Sequence, residues 1–237
     1  MKAMILAAGL GTRFKPWTDS HPKALAIVNG RTLLERNICY LQSFGIRDVL
    51  VNVHHFAEQI RDSIKVNEGW GSKITISDES TEVLETGGGL KKAESWFDQG
   101  SFVVMNADIL TDLDLNKMSA FHREKNPLAT LAVTDRKSSR YFLFDNEDRL
   151  SGWRNTKTGE EKISVKGDSL NEKAFSGIHI ISPDIFPFIK KRGKFSIVDV
   201  YLELALTHRI LGYDHTGSKL VDVGRTESIA VAEKLFQ

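Results

Sequence analysis

Apolar positions along the chain fall into two alternating patterns. Residues 4–7, 48–53, 73–77 and 102–105 are short apolar runs bounded by small or polar residues. Runs of that length predict strands buried in a sheet. Between them the apolar residues recur every three or four positions. Leu33, Leu34, Ile38 and Leu41 predict a helix starting after Thr32 and closed by Gly45. Phe56, Ile60 and Ile64 predict a second helix, and a third leads from the glycine-rich stretch near residue 87 to Trp96. Strands alternating with helices in this order predict an α/β fold, with a mostly parallel sheet covered on both faces.

The middle of the chain changes pattern. Residues 140–144 and 150–154 are short alternating segments separated by polar turns, Asp-Asn-Glu-Asp and Asn-Thr-Lys-Thr-Gly. They predict antiparallel hairpins. Residues 174–181 predict another strand, Pro183 the start of a helix, residues 197–208 a further helix and 219–223 a strand. A closing helix is expected from Thr226. No repeat, low-complexity segment or linker interrupts the chain, so a single domain over 1–237 is expected.

Composition narrows the classes. With 32 basic and 31 acidic residues the chain carries a net charge of +1, which makes no electrostatic case for nucleic acid or an anionic membrane. No apolar run is long enough to span a bilayer. The single Cys39 excludes an intrachain disulfide and a cysteine-rich metal site, and its apolar setting predicts a buried, inert thiol. The N-terminus reads as a strand entering a loop, not a signal peptide, so a cytoplasmic location is expected.

The chemistry concentrates after the first strand, in Leu6-Ala7-Ala8-Gly9-Leu10-Gly11-Thr12-Arg13-Phe14-Lys15-Pro16, followed by Pro22-Lys23. Small residues let a backbone approach a ligand closely, and successive N–H groups in such a turn favour anions. Arg13 offers a flat fork for phosphate and Lys23 a compact charge. A dinucleotide fingerprint fits poorly, because Phe14 stands where a third small residue is needed. The Gly-Lys-Ser/Thr of a P-loop is absent. Ligands of parallel sheets bind beyond the carboxyl ends of the strands. The first loop, His54 and His55, the stretch from Glu79 to Gly89, and Asp108 all follow strands and are expected on one edge.

The string Leu-Ala-Ala-Gly-x-Gly-Thr-Arg-x-x-Pro, then Pro-Lys, resembles the signature of sugar-1-phosphate nucleotidyltransferases, and the resemblance continues along almost the whole chain. It implies a three-layer, Rossmann-like fold with a small antiparallel sugar-binding lobe at about 135–182. It also implies attack by a sugar phosphate on the α-phosphorus of a nucleoside triphosphate, with pyrophosphate leaving. Carried onto this sequence, Arg13 falls to the β and γ phosphates, and Lys23 to the α or the incoming phosphate. Asp108 and Asp222 fall to Mg²⁺, a hard cation suited to carboxylate and phosphate oxygens. Leu6, Ala7, Ala8, Gly9, Gly11, Thr12, Glu79, Gly87 and Gly88 are expected at the nucleotide, with a planar base lying against the glycines. Asn106, Ser176 and Gly177 are expected at the sugar.

Two positions depart from the pattern: Ala107 where Gly is usual, and Arg225 where Thr is usual. Arg225 either contacts phosphate or faces solvent, and His54 is either a supporting partner or a structural histidine. Glu85-Thr86-Gly87-Gly88-Gly89 most resembles uridylyltransferases acting on N-acetylmuramate 1-phosphate. GTP-dependent mannose or heptose enzymes stay open, because Glu79, Glu82 or Glu85 could accept from guanine N–H donors. A catalytically silent sugar-nucleotide-binding subunit and a transferase using a phosphorylated alcohol are the other readings. A monomer or small homo-oligomer is expected.

Overall fold

The computed structural model describes residues 1–97, 99–167 and 169–237. Position 168, within the expected lobe, lies outside them. The chain runs β1 (Ala3–Leu6), β2 (Ile27–Val28), β3 (Arg31–Thr32), α1 (Leu33–Ser43), β4 (Asp48–Val53), α2 (Ala57–Val66), β5 (Lys73–Asp78) and α3 (Glu85–Lys92). It continues β6 (Phe102–Asn106), β7 (Ile109–Thr111), α4 (Leu115–Lys125), β8 (Ala129–Thr134), β9 (Arg140–Phe144), β10 (Leu150–Asn155), β11 (Glu161–Ile163) and β12 (Asn171–Ile181). Last come α5 (Ile197–Leu204), β13 (Ile210–Asp214), β14 (Leu220–Asp222) and α6 (Glu227–Leu235).

The main sheet has the order β11-β10-β9-β12-β6-β1-β4-β5, with β8 on β12 and β13 on β8. The four strands β5, β4, β1 and β6 are parallel, as the apolar runs predict. The long β12 reverses direction against β6 and carries the sheet into the antiparallel strands β9, β10 and β11. The fold is therefore α/β and Rossmann-like, with a mixed sheet.

The pleat divides the core. Met4, Leu50 and Val104 face one way, into a cluster with Leu90 of α3 and Val200 and Tyr201 of α5. Ala3, Ile5, Val49, Val51, Val103 and Met105 face the other, against Leu34, Ile38 and Leu41 of α1, Ile60 of α2 and Met118 of α4. Successive strand residues point to opposite faces, so a run buried on both faces must be apolar throughout. The two helix layers follow directly from that.

Several local expectations need correction. The helix from the glycine stretch ends at Lys92, and Glu94–Trp96 is a separate 3₁₀ turn. The segment after Pro183 is a 3₁₀ turn, Pro183–Phe188, with Pro187 inside it; proline lacks the N–H that an α-helix interior needs. The α5 helix stops at Leu204, short of His208. Strands β7 and β13 were not anticipated. Cys39 is half-buried. Among the described residues, no helix is long and apolar enough to cross a membrane.

Candidate active site

The parallel strands end in register. Leu6 at the end of β1 lies between Asn52 of β4 and Asn106 of β6. Beyond this row opens a cavity of about 570 Å³, lined by Leu6 through Arg13, Lys23, Asn52, Glu85, Thr86, Asn106, Ala107, Asp108, Lys194, Ser196 and Gly224.

One wall is the loop after β1. Gly11 has φ +61°, and a Cβ there would meet the Thr18 methyl at 2.8 Å. Only glycine holds this left-handed position at so close an approach without strain. Thr18 Oγ1 donates to the Gly11 carbonyl at 2.9 Å and locks the turn. A Cβ on Gly9 would meet nothing within 4 Å, so the loop is open there toward the cavity.

Beneath the loop runs a buried polar chain. The Ala7 N–H donates to Asn52 Oδ1 at 2.7 Å, and Asn52 Nδ2 donates to Glu79 Oε1 at 2.8 Å. Glu79 Oε2 accepts from the Leu84 N–H at 3.2 Å, and the His54 ring Nδ1 sits 2.6 Å from the Glu79 carbonyl. Glu79 is only 1% exposed. Its expected place against the nucleotide is thus corrected: both oxygens are taken up fixing Asn52 and the start of α3. A buried carboxylate requires such partners. His54 is bonded to the backbone of this network and does not line the cavity.

Gly87 and Gly88 are corrected in the same way. A Cβ on Gly87 would lie 2.4 Å from the Phe195 ring, and one on Gly88 would lie 2.2 Å from the Gly193 carbonyl oxygen. Both N–H groups donate to the Phe195 carbonyl. These glycines dock α3 onto the 193–197 segment, and neither lines the cavity. Gly88→Ala is therefore expected to destabilise the protein by about 1–3 kcal/mol, as overpacking does. That lowers the melting temperature by roughly 2–12 °C in a chain of this size. Gly9→Ala should leave it unchanged, and a thermal melt of the two variants checks both.

The opposite edge carries the charges. Asp108 follows β6, and its carboxylate forms a short ion pair with Lys23 Nζ. The Asp108 carbonyl accepts from the Val223 N–H at 2.8 Å, and Asp222 pairs with Ile109 in the β7–β14 ribbon. The ribbon therefore brings Asp222 beside Asp108 from 114 residues away in sequence (222 − 108). Partial loss of water and the nearby Asp108 carboxylate push the Asp222 acid up from its usual range, while Lys23, Arg13 and Arg136 pull against that. Arg13 reaches the same place: a Cβ on Gly224 would lie 2.7 Å from Asp222 Oδ1 and 3.4 Å from Arg13 Nη2.

Arg13 is exposed, and no carboxylate pairs with it among the described residues. Ala107 is buried and donates its N–H to the Leu6 carbonyl at 3.1 Å, so the extra methyl is accommodated. Arg225 is exposed and absent from the cavity lining.

Of the expected sugar residues, Asn106 lines the cavity. Gly177, φ +74°, packs on it, since a Cβ there would meet Asn106 Nδ2 at 2.9 Å. Ser176 is corrected: it is fully buried and bonded to His215 Nε2 at 2.8 Å. Asn52, Lys194 and Ser196 line the site without having been singled out. The signal for Asn52 was there, as an amide interrupting the apolar run of β4. Lys194 ends the basic run 190–192 and 194, and its Nζ lies 3.6 Å from Glu85 across the cavity mouth.

Residues 2–236 match the family model described as Nucleotidyl transferase. An N-acetylmuramate alpha-1-phosphate uridylyltransferase of Neisseria meningitidis is 30% identical over 235 residues, covering 99% of this chain and 98% of that protein. A mannose-1-phosphate guanyltransferase of Yarrowia lipolytica is 28% identical over all of this chain and 64% of its own length. The crystal structure of HddC from Yersinia pseudotuberculosis superposes with a TM-score of 0.82 at 23% identity, covering 100% of this chain and 99% of that one. The loop, the paired cations and the two aspartates thus stand in a shared fold matched from end to end, and the chain belongs to the nucleotidyl transferase family of enzymes.

Proposed function

We propose that the protein joins a sugar 1-phosphate to a nucleoside triphosphate, releasing pyrophosphate, with UTP and N-acetylmuramate 1-phosphate as its substrates. Sugar-1-phosphate nucleotidyl transfer is the reaction class. The observation that carries it is the meeting of Arg13, Lys23 and Asp108 along one edge of a cavity whose other wall is open backbone at Ala8 and Gly9, with Asp222 brought beside Asp108 by the β7–β14 ribbon. The uridylyl and muramate assignment rests on the full-length similarity to the Neisseria enzyme. The work is cytoplasmic, where both substrates form, and the segment 135–182 serves as the sugar lobe of a single domain.

The acceptor phosphate oxygen forms a bond to the α-phosphorus, and the bond to the β-phosphate oxygen breaks. The acceptor is already ionised, so no general base is required, and the difficulty is bringing two polyanions together. Arg13, exposed and without a carboxylate partner, takes the β and γ phosphates and the growing charge of pyrophosphate. Lys23 lines the cavity beside Asp108 and takes the α or acceptor phosphate. Asp108 and Asp222 fit Mg²⁺. Two adjacent hard-oxygen donors, one raised by partial loss of water and by the other's charge, suit a cation that completes its shell with phosphate oxygens and waters. When bound, Mg²⁺ supplies neutralisation of phosphate charge.

A guanylyl reading has one observation in its favour: Glu85 lines the cavity and could accept from guanine N–H donors. The test is pyrophosphate release with UTP and GTP in competition, over N-acetylmuramate, mannose and heptose 1-phosphates. Preference for UTP is expected, retained in Glu85→Gln. Preference for GTP, reduced at least about tenfold in Glu85→Gln by an unmatched donor, would establish the guanylyl reading instead. No pyrophosphate with any pair would sink both.

A further inference from the structure

Strand β12 breaks register with β8 between Phe175 and His179, so residues 176–178 bulge at the point where Gly177 meets Asn106. Bulges next to a site re-aim side chains. Behind this one lies an unusual knot of polar groups. Thr134 Oγ1, Arg136 Nε and His215 Nδ1 are three of the four buried side-chain polar atoms that lack a hydrogen-bond partner among the described residues. They are neighbours: Thr134 pairs with Ala174, the His215 N–H donates to the Val133 carbonyl, and His215 holds Ser176.

Arg136 emerges from this knot. Its Nη2 donates to the Phe175 carbonyl at 2.8 Å, fixing the guanidinium against the last paired residue before the bulge. No carboxylate pairs with it among the described residues. The acids closest in the chain and across the sheet, Asp135 and Asp214, both bind Lys173 Nζ, at 2.5 and 2.6 Å. A half-buried guanidinium, clamped by a backbone bond and left without a counter-charge, is costly unless an anion arrives. The carbonyl it holds lies two residues before Gly177, which packs on Asn106 of the cavity lining, so the guanidinium stands behind the Asn106 side of the site.

We propose that Arg136 is an acceptor-binding residue that receives an oxyanion of the sugar phosphate, with the Thr134, Ser176 and His215 knot holding it in place. This rests on the acceptor being a sugar phosphate. Two groups share the required chemistry: the 1-phosphate, and a carboxylate carried on the sugar. A planar fork meets either in bidentate fashion.

The test compares wild type, Arg136→Ala and Arg136→Lys with two acceptors, N-acetylmuramate 1-phosphate and N-acetylglucosamine 1-phosphate, which differ by one carboxylate-bearing ether. Acceptor KM and nucleotide KM are measured separately. Acceptor binding in the presence of a non-hydrolysable triphosphate is measured by calorimetry, so that the readout does not depend on turnover. Acceptor KM and Kd are expected to rise at least about tenfold in Arg136→Ala, the size of one lost charge-assisted contact. Nucleotide KM should stay within about twofold, and Lys should rescue only in part. A rise with both acceptors identifies the phosphate, and a rise confined to the muramate identifies the carboxylate; either supports the proposal. Unchanged acceptor affinity, or an equal rise in nucleotide KM, overturns it. Should wild type bind neither of these nor mannose or heptose 1-phosphate, the sugar-phosphate reading itself fails, and that result is seen before any variant is made.

Discussion

Asp108→Asn is expected to cut turnover by about 10² or more, the scale of losing a main electrostatic element of a transition state, while the protein stays folded. The carboxylate ends β6, pairs with Lys23 and adjoins Asp222. The substitution keeps the side chain's shape and removes its charge. The Lys23 and Asp108 side chains are only 14% and 23% exposed, so the substitution leaves a largely buried ammonium short of its partner and should cost about 1–3 kcal/mol of stability. Pyrophosphate release across a Mg²⁺ titration, beside a thermal melt, reads both quantities. Asp222→Asn should behave alike, and the double variant should fall far short of the product of the two losses, because residues acting as a unit are not additive. Wild-type turnover and metal response in Asp108→Asn would remove the assignment.

Arg13→Lys is expected to be nearly as slow as Arg13→Ala, each down by about 10² in turnover. Lys23 already provides a point charge at this edge, and it is held by Asp108. What Arg13 adds is a planar fork on the exposed side of the loop, able to grip two phosphate oxygens at once; an ammonium cannot reproduce that geometry. Single-turnover measurements at saturating nucleotide separate this from a binding defect. A near-normal rate with lysine at position 13 would mean that charge alone suffices there.

The parallel half of the sheet was legible because both of its faces are covered, so β1, β4 and β6 had to be almost uninterrupted apolar runs. The 140–155 hairpin was legible for the opposite reason, through alternation and polar turns. Strand β13 escaped notice because Gly212 interrupts a short segment that follows a helix, and β7 because it is three residues long. The cations drew notice because they stand in a recognisable string after β1, and the aspartates because Asp108 follows β6 and Asp222 ends β14. The glycine-rich stretch was misread for want of a partner: its glycines answer to Phe195 and Gly193, more than a hundred residues on. Glu79 was likewise read as facing the ligand, since nothing local shows that Asn52 and Leu84 occupy both of its oxygens. Long-range packing decides such residues, and it leaves no periodic trace in the chain.

The β7–β14 ribbon stands apart from the main sheet and contributes one of the two aspartates. Joining its strands closes a loop of more than a hundred residues, the kind of contact whose entropic cost is met late in folding. A chain with its parallel strands assembled but this ribbon still open would own the nucleotide loop and a single carboxylate. It could hold a triphosphate and do nothing with it. On the roles proposed for Asp108 and Asp222, competence for chemistry would thereby be tied to the completion of folding: an unfinished molecule would have no means of spending nucleotide.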